Sequence, residues 1–380
     1  MRKWILIGLL FLLFFPCRGK AEEFIPNAKS GILMEVGSGK ILYEKNSHEQ
    51  LSVASLTKMV AQIIILEEIE KGSIHWDDIV TVSHRASGMG GSQIYLSEGE
   101  KISVRDLMKG ISVASGNDAT VAMAEYISGS EEQFVIRMNE VVKKMGLKDT
   151  HFVNCTGLDE ENHYSSSYDM AMIARELVLH HSEILEFSSI YEDYLRENTD
   201  NKFWLVNTNK LIRFYEGADG LKTGHTDAAG YCLATTAKRN HLRLISIVLG
   251  ENDSKTRNQE AMDLMDYGFN SLQMNCILKK GTQMDTITMD LAQPSVIPIV
   301  LKDDLCVVEE KGTKGAYQYD IHLRFPALPV QNGDVVGSVD VLSNQKIISN
   351  VDLTVLNSVQ AVSFPIFVKK MLINLLIGVF

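Results

Sequence analysis

The chain has 380 residues, 45% hydrophobic and 22% charged, a globular composition long enough for two domains with cores of their own. Its formal net charge is -11 at pH 7, and -15 without residues 1–21, which carry four basic side chains and no acidic one. So acidic a body is a poor match for nucleic acid or for adhesion to anionic lipid.

In chain order, residues 1–21 read first as a secretory signal. Arg2 and Lys3 give a positive start, Trp4 to Phe15 a short apolar run, and Gly19-Lys20-Ala21 small residues for cleavage before Glu22. The run is about 12 residues, short of the roughly 20 that span a bilayer. Ser30–Val36 and Lys40–Lys45 read as two strands joined by Gly37-Ser38-Gly39. Ser55 to Glu70 has no Gly or Pro and reads as a helix, with Gly72 just past its end. Further helices are expected at Val104–Ile111, Ala119–Ile127, Glu131–Met145 and Tyr168–His180. Gly230–Lys238 and Leu242–Gly250 form a hairpin about Arg239-Asn240-His241. Strands at both ends with helices between give an α+β domain over 26–270.

From Met274 to Asn357 short alternating runs, such as Asp285–Leu291, Tyr317–Phe325 and Val335–Val341, read as a small β-sandwich over 274–360. Residues 364–380 are apolar apart from Lys369, Lys370 and Asn374, and fit a tail lying on a membrane, in plane or shallowly inserted. Of five cysteines, Cys17 falls in the signal. Cys155, Cys232, Cys276 and Cys306 show neither CxxC nor zinc spacing and are expected to be buried free thiols.

Three short motifs follow one another: Ser55-Leu56-Thr57-Lys58, Ser115-Gly116-Asn117 and Lys222-Thr223-Gly224. Each is weak alone; together and in this order, SxxK, SxN and KTG are a strong signal. Residues i and i+3 share a helix face, so Lys58 can reach the Ser55 hydroxyl. A serine needs a base, and lysine serves only when neutral, which burial and a second cation such as Lys222 would favour. Ser115 can relay a proton to a leaving amine, and Asn117 can hold Lys58 and a substrate backbone. A strand bearing Lys222, Thr223 and Gly224 can pair with an extended peptide. An oxyanion hole is expected from the N–H groups of Ser55 and His225.

With these motifs the chain resembles the D-alanyl-D-alanine carboxypeptidases of the penicillin-binding protein superfamily. Further stretches carry the likeness: Gly39 to Lys45, Ser115-Gly116-Asn117-Asp118-Ala119, Thr156-Gly157-Leu158, Glu161 to Ser165, Asp219 to Thr226 and Asn332 to Gly337. The resemblance implies an antiparallel sheet with helices on both faces, then a β-sandwich and a C-terminal amphipathic anchor. It implies a serine hydrolase acting on peptidoglycan stem peptides ending in D-Ala-D-Ala, acylated by β-lactam antibiotics, at the outer face of the cytoplasmic membrane. Neither metal nor organic cofactor is called for. The family's carboxylate-gripping arginine falls on Arg257, while Cys155 and Cys232 stand where Pro and Asn are more usual.

Three rivals share parts of this pattern. A class A β-lactamase needs a loop glutamate, and no ExxxN of that kind lies between Asn117 and Lys222. A transpeptidase or endopeptidase differs only in its acceptor. A non-catalytic wall-binding scaffold fits poorly, because no motif residue is missing. His151, His163 and His241 read as structural or surface histidines. Ser87 to Ser92 reads equally well as a mobile rim of the cleft or a plain turn.

Overall fold

The computed structural model describes residues 23–369, apart from 314, 325 and 344. The expected signal over 1–21, with Cys17, and the tail beyond 369 lie outside the described residues.

Five antiparallel strands form the central sheet, in the order Ile41–Lys45, Ser30–Glu35, Leu242–Glu251, Gly230–Arg239, Ala218–Thr226. Its middle strands are buried on both faces, so they read as nearly unbroken apolar runs rather than alternating ones. Ile32, Met34, Ile245 and Ile247 pack into one core, with the helices between residues 58 and 180. Leu33, Leu233, Leu244 and Val248 face a second core, shared with the helix Ser254–Ser271. Helices therefore cover both faces. Asn240 and His241, at φ 48° and 68°, make the tight turn between Arg239 and Leu242, the two left-handed positions suiting a two-residue hairpin.

The helix Lys58–Glu70 is buried all round from Lys58 to Leu66, as expected of a helix inside a domain. Its first turn differs from the expectation: Ala54–Thr57 is 3-10, and Ala54 is left-handed at φ 48°. It ends in a Schellman motif: Ser73 N–H donates to Glu68 O at 2.9 Å, Gly72 N–H donates to Ile69 O at 2.9 Å, and Gly72 has φ 71°. The other expected helices run Val104–Val113, Asn117–Ser128, Glu131–Lys144 and Ser167–His180. Ser103, Ser130 and Ser166 cap three of them through side-chain oxygens.

The second half of the chain is sheet-rich. One five-stranded sheet runs Gln283–Thr288, Val296–Leu301, Lys346–Val355, Gly337–Ser343, Gln318–Leu323. A strand pair, Leu272–Leu278 with Leu305–Glu310, packs Leu305 and Val307 against Ile299, Val339 and Leu353 of that sheet. Two layers enclosing an apolar core make a β-sandwich.

The cysteine expectation is half overturned. Cys155 and Cys232 are buried free thiols, but Cys276 and Cys306 face each other across the strand pair and are disulfide-bonded. The sequence shows no CxxC because the pairing depends on strand register, not on proximity along the chain. A link across 30 residues removes loop entropy worth roughly 2–4 kcal/mol from the unfolded chain. Reduction, or Cys276→Ser with Cys306→Ser, is expected to lower the sandwich's unfolding free energy by about that amount. Calorimetry with and without reductant measures it.

Candidate functional site

The site forms where the 3-10 turn at Ser55, the turn between two helices at Ser115 and the edge strand Ala218–Thr226 converge. Ser55 is partly exposed, while Lys58 is fully buried. The Lys58 amine donates to Ser55 Oγ at 2.9 Å, Asn117 Oδ1 at 2.6 Å and the Thr156 carbonyl at 2.6 Å. Burial pulls its pKa down to about 7. A protonated amine satisfies all three acceptors. A neutral one keeps two N–H groups for the two fixed carbonyl oxygens, and its lone pair is left facing Ser55 Oγ.

The second cation lies in the same buried site. Lys222 is buried and donates to the Thr223 carbonyl at 3.0 Å. Burial holds its amine well below the ordinary value, with the charges of Lys58 and Arg257 adding to the effect. Burial is the largest cause for both amines, and two cations this close disfavour each other's charge.

Ser115 joins the helices Val104–Val113 and Asn117–Ser128 at φ 63°, a strained angle for serine. Its Oγ is buried and has no hydrogen-bond partner among the described residues. Asn117 is fixed from both ends: its N–H donates to Ser92 O at 2.7 Å and its Nδ2 to Gly90 O at 2.7 Å. Gly91, left-handed at φ 78°, leaves the room; a Cβ there would lie 2.7 Å from Asn117 Nδ2. The segment from Gly90 to Ser92 is therefore a wall of the site.

The strand Ala218–Thr226 is at the sheet's edge, with only Gly230–Arg239 paired beside it among the described residues, so its outer edge can take an extended peptide. Thr223 donates to Thr208 Oγ1 at 2.7 Å, and His225 is exposed with its ring 4.1 Å from that of Tyr231. Arg257 is no surface residue. It lies in the first turn of Ser254–Ser271, 4% exposed, and donates to the carbonyl of Cys232, which pairs with Gly224. Burial lowers its pKa to about 10, so it stays charged, and its hydrogen-bond partners are a carbonyl and the Asn258 amide.

Sequence reasoning gave no task to the loop 153–157, because its contribution is a main-chain carbonyl. Asn154 Oδ1 accepts the N–H groups of Thr156 at 3.2 Å and Gly157 at 2.7 Å. Glu131, paired with Arg85, accepts from the Cys155 N–H and thiol at 3.4 Å each. His163 Nδ1 accepts from Val153 N–H at 3.2 Å, which leaves its Nε2–H for Thr57 Oγ1 at 2.8 Å. Burial lowers that imidazole's pKa to about 4, so it is neutral. Two glycines then grip the serine turn. A Cβ on Gly157, at φ 83°, would lie 1.9 Å from Ala54 O; one on Gly224 would lie 2.9 Å from Val53 O and 3.0 Å from Ser55 N. Gly224 thus lies directly against the backbone of the serine turn.

A serine hydroxyl with a buried amine of lowered pKa held beside it is an arrangement for acyl transfer. The D-alanyl-D-alanine carboxypeptidase family model matches residues 20–253, and that of the penicillin-binding protein 5 C-terminal domain matches residues 273–361. The chain belongs to this family of serine hydrolases. D-alanyl-D-alanine carboxypeptidase DacF of Bacillus subtilis is 41% identical over 374 residues, 96% of each chain. Penicillin-binding protein 5 of Haemophilus influenzae superposes with a TM-score of 0.69 at 33% identity, covering 90% of this chain and all of that one. Penicillin-binding protein D2 of Listeria monocytogenes, in its ampicillin-bound form, superposes at 0.58 with 32% identity, over 64% of this chain and 98% of that one.

The glycine grip makes a direct prediction. Gly157→Ala must push Ala54 and Ser55 aside, and a misplacement near 1 Å can cost about 10²-fold in rate. Acylation by a fluorescent penicillin is expected to fall by at least that factor, whereas Gly146→Ala, where a Cβ meets open space, is expected to leave it unchanged.

Proposed function

We propose that the protein is a serine-type D-Ala-D-Ala carboxypeptidase that removes the terminal D-alanine of peptidoglycan pentapeptide stems through an acyl-enzyme on Ser55. The observation that carries this reading is the buried Lys58 amine, 2.9 Å from Ser55 Oγ and anchored on two carbonyl oxygens. Ser55 Oγ attacks the penultimate D-alanine carbonyl and its proton passes to Lys58. The N–H groups of Ser55 and His225 receive the oxyanion. The C–N bond breaks, and the departing amine is protonated from Lys58 by way of Ser115. Water then attacks the ester with Lys58 again as base. Lys222, Thr223 and Arg257 bind the terminal carboxylate, Arg257 with a charge that no described carboxylate neutralises.

Penicillin acylates the same serine but stays there. Its leaving amine remains tethered to the acyl group, and the buried carboxylates nearby are already engaged. Asp118 accepts the N–H groups of Ile94 and Leu96, and Glu131 holds Arg85 and Cys155. Neither is free to drive hydrolysis.

Residues 1–21 act as an export signal. Residues 26–270 form the catalytic domain and 274–360 the sandwich domain. Residues 364–380 hold the protein to the outer face of the cytoplasmic membrane. Supporting the anchor, residues 364–369 are helical and expose Phe364, Ile366 and Val368. A helix from Ile366 to Phe380 would be about 22 Å long, short of the roughly 30 Å hydrocarbon core, and no described helix is long and apolar enough to cross a membrane.

Mass spectrometry of a pentapeptide incubated with the protein is expected to show loss of one alanine; no change would overturn the reading, and a dimer would convert it to transpeptidation. Ser55→Ala abolishes penicillin labelling. Because Lys58 works as the neutral amine, kcat/KM is expected to rise with pH through about 7. Lys58→Ala should lose about 10²–10⁴-fold at the plateau, and the pH limb with it. Arg257→Ala is expected to lower peptide cleavage more than penicillin acylation; equal losses would place the carboxylate clamp elsewhere.

A further inference from the structure

Tyr95 has a backbone conformation that its side chain disfavours, φ 56°, in the left-handed region where bulky residues are outliers. The residue is clamped there from two sides. The carboxylate of fully buried Asp118 accepts the N–H groups of Ile94, at 3.0 and 3.1 Å, and of Leu96, at 3.0 Å. Arg196 donates to the carbonyls of Ile94 at 3.1 Å and Tyr95 at 3.4 Å, and is itself fixed by Glu100 at 2.5 Å. These bonds turn the phenol outward. It is 68% exposed, and its ring meets Phe203 edge-on, with centroids 5.5 Å apart. A glycine or asparagine would take this backbone at lower cost, and the exposed ring returns little of that cost as core packing. Strain kept at an exposed side chain points to a ligand rather than to folding.

The place agrees. The segment carrying Tyr95 is the one whose Gly90 and Ser92 carbonyls hold Asn117. Phe203 begins the strand Phe203–Val206, which leads directly to Thr208, the partner of Thr223. The two rings thus meet where the wall bearing Asn117 joins the wall bearing Thr223. Through Lys58, Asn117 and Asp118 the contact path from Ser55 Oγ to residue 95 is about 20 Å, estimated from bond and residue lengths. The four stem residues on the acyl side of the cleaved bond reach about 14 Å, and the sugar that carries them continues beyond.

We propose that Tyr95, braced by Phe203, is a stacking platform for a sugar ring of the glycan strand that carries the stem peptide. Pyranose rings present faces of C–H groups, which the electron-rich face of an aromatic ring attracts, and the phenol hydroxyl can bond to sugar hydroxyls. This inference rests on the carboxypeptidase reading and adds a contact remote from the cleaved bond.

The test compares kcat/KM for a free pentapeptide and for the same pentapeptide on its disaccharide. Wild type is expected to prefer the disaccharide form by about three- to tenfold, the range of an aromatic stacking contact. Tyr95→Gly, which removes the ring and relaxes the backbone, is expected to abolish that preference and leave the free pentapeptide unchanged. Tyr95→Phe keeps the preference. Equal rates on both substrates in wild type overturn the platform, as does an equal loss on both in Tyr95→Gly, which would mean a contact to the stem or a structural role. Calorimetric binding of the disaccharide-pentapeptide to Ser55→Ala, with and without Tyr95→Gly, reads the same contact without turnover. Failure of wild type to release D-alanine from the free pentapeptide would count against the activity alone.

Discussion

The groups around Ser55 converge on one constraint: the Lys58 amine is kept out of water, with its pKa pulled down to about 7. Burying an amine is costly unless its polar hydrogens find partners. Asn117 and Thr156 supply two carbonyl oxygens at 2.6 Å each, and each is fixed by its own set of bonds. Asn117 is pinned by Gly90 and Ser92, and the Thr156 peptide by Asn154, Glu131 and His163. The helix from Lys58 runs through the middle of the core, so the amine cannot swing out to solvent without unpacking the domain.

The same logic explains where the backbone departs from comfort. Ala54 and Ser115 are both left-handed without being glycine, and each sits beside a group that must point into the cleft. Glycine appears where a side chain would strike the serine turn, at Gly157 and Gly224.

Much of this was legible from the chain alone. SxxK, SxN and KTG name the polar side chains, and Gly72 marks the end of the central helix. The helix Ser254–Ser271 was overlooked although its signal is present: Ala261, Leu264, Met265, Gly268 and Phe269 recur at helical spacing and are buried. Arg257 lies in the first turn of that helix. Other features leave no such trace. The Thr156 carbonyl belongs to the backbone, which every residue shares, so its task follows only from the path of the loop. The Cys276–Cys306 pairing depends on which residues face each other across two strands, and spacing along the chain does not encode register. Burial is the largest cause of the lowered Lys58 pKa, a matter of depth that the sequence does not print.

The four described cysteines also divide by where their sulfur ends up. Two are sealed in the interior of the catalytic half and two are joined in the sandwich. In the folded protein Cys155 and Cys232 are shielded from solvent, and only Cys276 and Cys306 have their sulfurs joined. A thiol-alkylating reagent would therefore report separately on the opening of the two regions.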